Sequence, residues 1–397
     1  MGLVDSKTVF GPNSENRAGL PAWTYNNVEL TELETQEIFL KNWVWAGHVS
    51  DLPAPGHFKC IDIAGEKAIV IRGEDGIIRA FHNYCRHRGA RLVRDDQGKC
   101  GNSLICPFHG WSYHLDGRLK NIPRPESFPD IDQNTMGLKV LDCEIWHGMI
   151  FLRFEGDGPS IHEVFADAEE EISLYNITEM KAYDEPWHWD FNVDWKLVVD
   201  IDNEGYHLPT GHPELFDLVG KTYNDKIYSS GIARASGSFA NRKVKTAANR
   251  NYVETLPSDS YLPDSHAKEW IYWGSFPGFV ITLFPDMIEI YQVFPTGFQQ
   301  SKMAGRCYAR PDARPEMKKA REFNREINMA VGNEDVQLIE WASEAMQSSA
   351  FDGLLLSDLE IGVASFQNQM RQKLPVVTLE NPPANGELAT TNQTMSA

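Results

Sequence analysis

The 397-residue sequence predicts a small all-β domain followed by a larger α+β domain. Three features point there. From Trp43 to about Phe154, short β-rich runs alternate with turn signals. Beyond that stretch, strand-like and helix-like segments are mixed. From Pro315 to about Ala350 the apolar residues, Ala330, Leu338, Trp341 and Met346 among them, recur at helical intervals.

Residues 1–42 read as an arm and a helix that pack on the second domain, with the capping-box spacing of "TELE" at Thr31–Glu34 marking the helix start. Residues 43–158 form the first domain. Its run "FKCIDIAGEKAIVIRGEDGIIRAF" is broken at Gly73 and at Asp75-Gly76, a hairpin signal, and Asp116-Gly117 repeats that signal. "MIFLRFEGDGPS" adds a last strand, and Gly156–Pro159 mark a boundary. Residues 159–378 form the second domain. It opens with an amphipathic helix over 160–182, whose acids at 167–171 are expected on the solvated face. Strands follow in "YDEPWHWDFNVDWKLVVD" and "WIYWGSFPGFVITLFPDMIEIYQVFP", then the long helix, then a short one in "DLEIGVASFQNQMRQKL". Residues 379–397 are polar and aperiodic and are expected to be disordered.

The formal net charge is −19 with no basic stretch to offset it, which argues against nucleic acid or an anionic membrane as a partner. A cationic substrate or a basic redox partner is allowed. Six cysteines in this length do not make a disulfide framework, so a cytoplasmic location is expected. No apolar run approaches the roughly 20 residues of a membrane span. "MGLVDS" fits the loose myristoylation pattern at Gly2 and Ser6, a pattern short enough to arise by chance.

Cys85-x-His87 and Cys106-x-x-His109 are separated by 18 residues. Each pair offers one thiolate and one imidazole, ligands for soft or borderline metals. Zinc fingers pair Cys with Cys and His with His, whereas mixed pairs suit two loops that each reach across a two-iron, two-sulfide cluster. The flanks "CRHRGA" and "CPFHGWSY" resemble Rieske loops. The expected cofactor is therefore a [2Fe-2S] cluster on Cys85, His87, Cys106 and His109, with a single zinc as the alternative. Cys100, in the exposed turn between the pairs, reads as a bystander.

"DWKLVVDIDNEGYHLPTGHPEL" supplies His207-x4-His212. Two imidazoles and one carboxylate make the facial triad of non-haem iron oxygenases. On the long helix Glu334 and Asp335 both offer the carboxylate, and helical pattern alone does not choose between them.

From about Trp43 to Leu374 the chain resembles the large (α) subunit of the Rieske non-haem iron, ring-hydroxylating oxygenases. Trp195-Lys196 and Glu204-x-Tyr206-His207-x4-His212 match that family's iron-binding stretch, and Glu334-Asp335 match its late ligand motif. The resemblance implies a helix-grip (START/Bet v1-like) catalytic domain and favours Asp335 as the third ligand of a mononuclear Fe(II). It implies a homotrimer, a ferredoxin or flavin reductase that draws electrons from NADH, and a small-molecule substrate with dioxygen.

Glu204 stands where many members have Asp. It is expected to carry electrons across the subunit boundary by bridging His109 of one chain and His207 of the next. Tyr206 is expected near the iron. Trp195, Trp270, Tyr272, Trp273 and Phe276 are candidates to line the pocket. Asp200 and Glu204 in "WKLVVDIDNEGYH" resemble the branch that N-demethylates quaternary ammonium or betaine compounds, where a methyl group is hydroxylated and formaldehyde departs. Hydroxylation of an aromatic ring or acid is the alternative. A non-catalytic Rieske electron carrier would need neither His207, His212, Asp335 nor the second domain, and a zinc-stabilised binding module is a further possibility.

Overall fold

The two Asp-Gly steps both turn hairpins. Gly76 (φ +80°) joins the strands Glu66–Arg72 and Ile78–His82, and Gly117 (φ +86°) joins Ser112–His114 and Leu119–Asn121. These strands belong to the unit Phe39–Glu163; Met1–Ile38 and Val164–Ala397 together make a second unit. This computed structural model describes residues 2–10, 17–63, 65–240, 242–257, 261–346, 348–351 and 353–396.

Within Phe39–Glu163, the described strands make two antiparallel sheets. A seven-stranded sheet runs in the order Val44–His48, Met149–Arg153, Val140–Trp146, Ile78–His82, Glu66–Arg72, His57–Ile63, Gln97–Lys99. A three-stranded sheet holds Ser103–Ile105, Ser112–His114 and Leu119–Asn121. A core of Phe58, Ile69, Phe81, Leu104, Trp111 and Tyr113 also encloses Cys85 and Cys106. The all-β expectation holds for this unit.

The second unit is built on an antiparallel sheet, nine-stranded among the described residues. From the edge strand Leu3–Val4 it passes through Asn224–Tyr228, Ala233–Ser238, Glu269–Ser275, Phe279–Leu283, Ile288–Gly297 and Gln300–Ala309, which pairs in turn with both Lys181–Ala182 and Trp187–Phe191. Helices Trp195–Asp202, Pro315–Met346 and Ile361–Lys373 complete an α+β unit. No helix among the described residues is long and apolar enough to cross a membrane. All six cysteines are free.

Four local expectations are corrected. The N-terminal helix spans Val28–Glu34, and Asn27 caps it by accepting from Leu30 N; Thr31 lies inside. Glu34 is instead buried, accepting from Lys196 Nζ (2.7 Å) and Trp195 Nε1 (2.8 Å). The helix expected over 160–182 is broken into Ile161–Val164 and Glu169–Ser173. Its acids are not all solvated: Glu171 binds Arg234 at 2.8 Å through both oxygens, His266 at 3.0 Å and Trp273 Nε1 at 2.7 Å. Burial pushes its pKa up, but these donors outweigh burial and hold it below the ordinary value. Finally, the polar tail ends in a helix, Leu388–Ser396, which buries Leu388 and uses Asn392 to accept from Val376 N at 3.2 Å. Composition missed this because the order comes from tertiary partners.

Candidate metal centres

The first constellation is two copies of one loop. Cys85 N donates to Ala90 O (2.8 Å) and Gly89 N to Cys85 O (3.0 Å); Cys106 N donates to Trp111 O (2.8 Å) and Gly110 N to Cys106 O (3.1 Å). Each loop thus buries its cysteine and presents its histidine a short step later. Cys85 and Cys106 are 3% and 2% exposed. The rings of His87 and His109 meet with centroids 4.6 Å apart. Trp111 stacks on His87 at 5.0 Å, and Tyr113 Oη lies 3.2 Å from Cys85 Sγ. His87 Nδ1 is buried without a hydrogen-bond partner. Two buried sulfurs, two adjacent imidazoles and an orphaned ring nitrogen fit a cluster that takes sulfur at one iron and nitrogen at the other. Cys100 gives its thiol to Gly56 O at 3.3 Å and stands outside the set.

The second constellation lies in the other unit. The helix Trp195–Asp202 ends at Asn203, and the chain turns through Glu204. The Glu204 carboxylate binds the backbone N–H groups of Tyr206 and His207 and also His207 Nδ1. A single turn, Leu208–Gly211, carries the chain to His212, whose Nδ1 meets Glu334 Oε2 at 2.8 Å. With both Nδ1 atoms tied to carboxylates, both Nε2 atoms present lone pairs. They face each other at 3.0 Å. Asp335 Oδ1 lies 2.9 Å from His212 Nε2 and 3.6 Å from His207 Nε2.

Two lone pairs and a carboxylate pointed at one spot repel unless a cation sits among them. A separation of 3.0 Å suits adjacent ligands with metal–nitrogen bonds of about 2.1 Å. His207, His212 and Asp335 form the metal-competent group of His, Cys, Asp or Glu found among the described residues. Burial alone would lower the His212 pKa, but Asp335 and Glu334 hold it above the usual value.

A cavity of 160 Å³ opens beside this group. One face is sheet. Strand register sets Asp225, Ala235, Tyr272, Thr282, Glu289 and Cys307 in one cross-sheet row. The neighbouring row holds Ala233, Gly274, Val280, Tyr291, Gly305 and Trp187. Alanines and glycines leave the hollow, and Tyr272, Tyr291 and Trp187 wall it. Trp187 lies 4.8 Å from Trp189 and 5.9 Å from Tyr291, centroid to centroid. Trp189 covers Gly332 on the helix that carries Asp335, where a Cβ would come within 2.1 Å of the indole.

The charge lining this cavity is acidic. Asp202, Glu204, Asp225, Glu289 and Asp335 all line it. Arg325 lines it too but is paired with Asp184. The register partners Arg234 and Lys226 also border it, and Arg234 is held by Glu171 and Ser236. Burial pushes Asp202, Asp225 and Glu289 each up to about 7.

Several expectations change. Tyr206, expected near the iron, is 57% exposed and is not among the residues that line the cavity. Of the five candidate pocket aromatics, Tyr272 alone lines this cavity. Trp195, Trp270 and Trp273 are core residues that donate to Glu34, Tyr252 and Glu171. Phe276 lines a smaller hollow beside Phe366. Asp200 is turned into the core, accepting from Tyr25 Oη (2.5 Å) and Gln367 Nε2 (3.1 Å). Trp187, Trp189 and Tyr291 were passed over, although the alternation Trp187-x-Trp189-x-Phe191 was a usable signal.

Residues 42–152 match the family model of the Rieske [2Fe-2S] domain, and 178–375 that of the ring hydroxylating alpha subunit catalytic domain. The chain is 28% identical over 383 residues to a glycine betaine monooxygenase oxygenase subunit of Chromohalobacter salexigens, covering 87% of this chain and 84% of that one. Against the subunit of the same name in Pseudomonas aeruginosa it is 37% identical over 248 residues, covering 60% of this chain and 57% of the relative. A crystal structure of a quaternary ammonium Rieske monooxygenase with L-carnitine superposes with a TM-score of 0.75 at 21% identity, over 94% of this chain and 99% of the other.

Proposed function

Since the chain belongs to the Rieske oxygenases, joining a Rieske [2Fe-2S] domain to the catalytic domain of a ring-hydroxylating alpha subunit, we propose that it is a terminal oxygenase that oxidatively removes a methyl group from a small quaternary ammonium or betaine compound. The observation that carries the substrate class is the cavity beside His207, His212 and Asp335: acids and aromatic rings line it, and its two arginines, Arg234 and Arg325, are already paired with Glu171 and Asp184. Aromatic faces and carboxylates together suit a methylated cation. The same charge disfavours an aromatic acid, which would bring a carboxylate among carboxylates. The names of the betaine- and carnitine-oxidising relatives agree with this reading.

Cys85, His87, Cys106 and His109 would hold the cluster, and His207, His212 and Asp335 the iron. When bound, these groups supply single electrons and dioxygen activation. The chain's own residues do the rest. Glu204 and Glu334 fix the two imidazoles so that Nε2 of each faces the metal position. The apolar rings and the sheet rows exclude water and seat the substrate. One oxygen atom enters a C–H bond of the methyl group and the other leaves as water, with two electrons and two protons consumed. The resulting carbinol loses formaldehyde and a proton and leaves a tertiary amine.

The electrons come from NADH through a ferredoxin or flavin reductase. We place the protein in the cytoplasm as a homotrimer, in which Glu204 also accepts from His109 of the neighbouring chain and so joins cluster to iron across the boundary.

Oxygen uptake coupled to NADH oxidation, with a reductase supplied, tests the reading. Glycine betaine, L-carnitine or choline should stimulate uptake and release formaldehyde in equal amount. Stimulation by aromatic acids alone, with no formaldehyde, rejects it.

A further inference from the structure

The carboxylates around the cavity are not equivalent. Glu204 and Asp335 are engaged with the two histidines. Asp225 takes the N–H of Gly205 and the hydroxyl of Tyr223, and Asp202 takes the hydroxyl of Tyr291 at 3.0 Å. Glu289 differs. It stands on the strand Ile288–Gly297 in the cavity-facing register, with Trp187 Nε1 at 2.8 Å and Cys307 Sγ at 3.6 Å, both on Oε1. No lysine, arginine or histidine pairs with it among the described residues. A carboxylate withdrawn from water and served by one indole N–H and one thiol is poorly compensated. A cation entering the cavity would complete it.

We propose that Glu289 determines specificity for charge, holding the methylated ammonium group of the substrate against the faces of Trp187 and Tyr291. This rests on the ammonium-oxidising reading above and names the residue that enforces it. The fit is to a methylated rather than a primary ammonium. A primary ammonium has three N–H groups to satisfy, while Oε1 of Glu289 is already committed to Trp187 and Asp202 to Tyr291. A methylated nitrogen needs charge and ring faces but no acceptors. Glu289 is a binding residue and takes no part in the bond changes.

The test uses isosteres that differ by one charge: glycine betaine against 3,3-dimethylbutanoate, and choline against 3,3-dimethylbutan-1-ol. Binding to the iron-replete protein is measured by calorimetry, for the wild type, Glu289→Gln and Glu289→Asp. Gln keeps the acceptor for Trp187 and removes the charge; Asp keeps the charge. The wild type should prefer each cation over its neutral-carbon partner. Glu289→Gln should lose roughly tenfold or more of that preference, the usual size for a hydrogen-bonded or charged partner removed from a buried group. Glu289→Asp should retain the preference, and both variants should keep the wild-type visible spectrum and iron content. Equal weakening of cation and isostere in Glu289→Gln, or an unchanged preference, overturns the proposal while leaving the ammonium reading standing. A wild type that binds neither cation overturns both.

Discussion

His207 and His212 turn their Nε2 atoms toward each other at 3.0 Å, while each commits its Nδ1 to a carboxylate, Glu204 for one and Glu334 for the other. This relationship makes the proposed metal assignment testable residue by residue, because the proposed ligand and orienting roles fall on different side chains.

Asp335→Asn removes the charge that completes the group. Iron should fall from about three to about two per chain, the cluster's share. The visible spectrum should not change. Elemental analysis with the spectrum checks this, and loss of cluster colour would contradict it.

Glu334→Gln should leave the fold intact, since its side chain is 36% exposed. It should weaken iron binding by roughly ten- to a hundredfold, as is common when a ligand histidine loses its partner. Competition with a chelator gives the ratio.

Glu204→Gln should retain the cluster and, with iron supplied in excess to offset the weaker hold on His207, bind iron yet lose turnover coupled to NADH. Single-turnover oxidation of a pre-reduced cluster reports it directly. Ordinary coupled turnover in this variant would remove the bridging role.

Gly332→Ala should raise helix propensity by up to about 1 kcal/mol. The new Cβ nonetheless displaces Trp189, which lies 2.1 Å from that position. We expect kcat/KM to fall by roughly ten- to a hundredfold, the scale of a small misplacement beside the reacting atoms. Iron content should stay normal.

Glu171→Gln should destabilise the second unit at pH 7 by about 2–3 kcal/mol, because Arg234 and His266 lose their shared anion. The sign with pH follows from the depressed pKa of Glu171. Its contribution is present above the unfolded value of about 4.5 and is lost as pH falls below that through the folded value. The gap in melting temperature between wild type and variant should therefore close in acid.

The candidate ligands that lie within one loop stand out in the sequence. Cys85 with His87, Cys106 with His109, and His207 with His212 are each fixed by local spacing, because a short loop leaves few ways to point two side chains at one centre. The hairpins at Gly76 and Gly117 and the helix Pro315–Met346 were legible for the same reason. The sequence also held both Glu334 and Asp335 without their division of labour. Adjacent residues on a helix point about 100° apart, and only the position of His212 sets Asp335 against its Nε2 and Glu334 against its Nδ1.

Which aromatics face the cavity was beyond the text as well. A strand sends alternate side chains to opposite faces, and the sequence does not say which face is hollow. Tyr272 faces the cavity while its neighbour Trp273 faces Glu171. Likewise Asp200, two residues from a cavity acid, is spent on Tyr25 and Gln367. Local chemistry named the metals; long-range register across the sheet decided the shape and charge of the space beside them, because cross-strand neighbours come from distant parts of the chain.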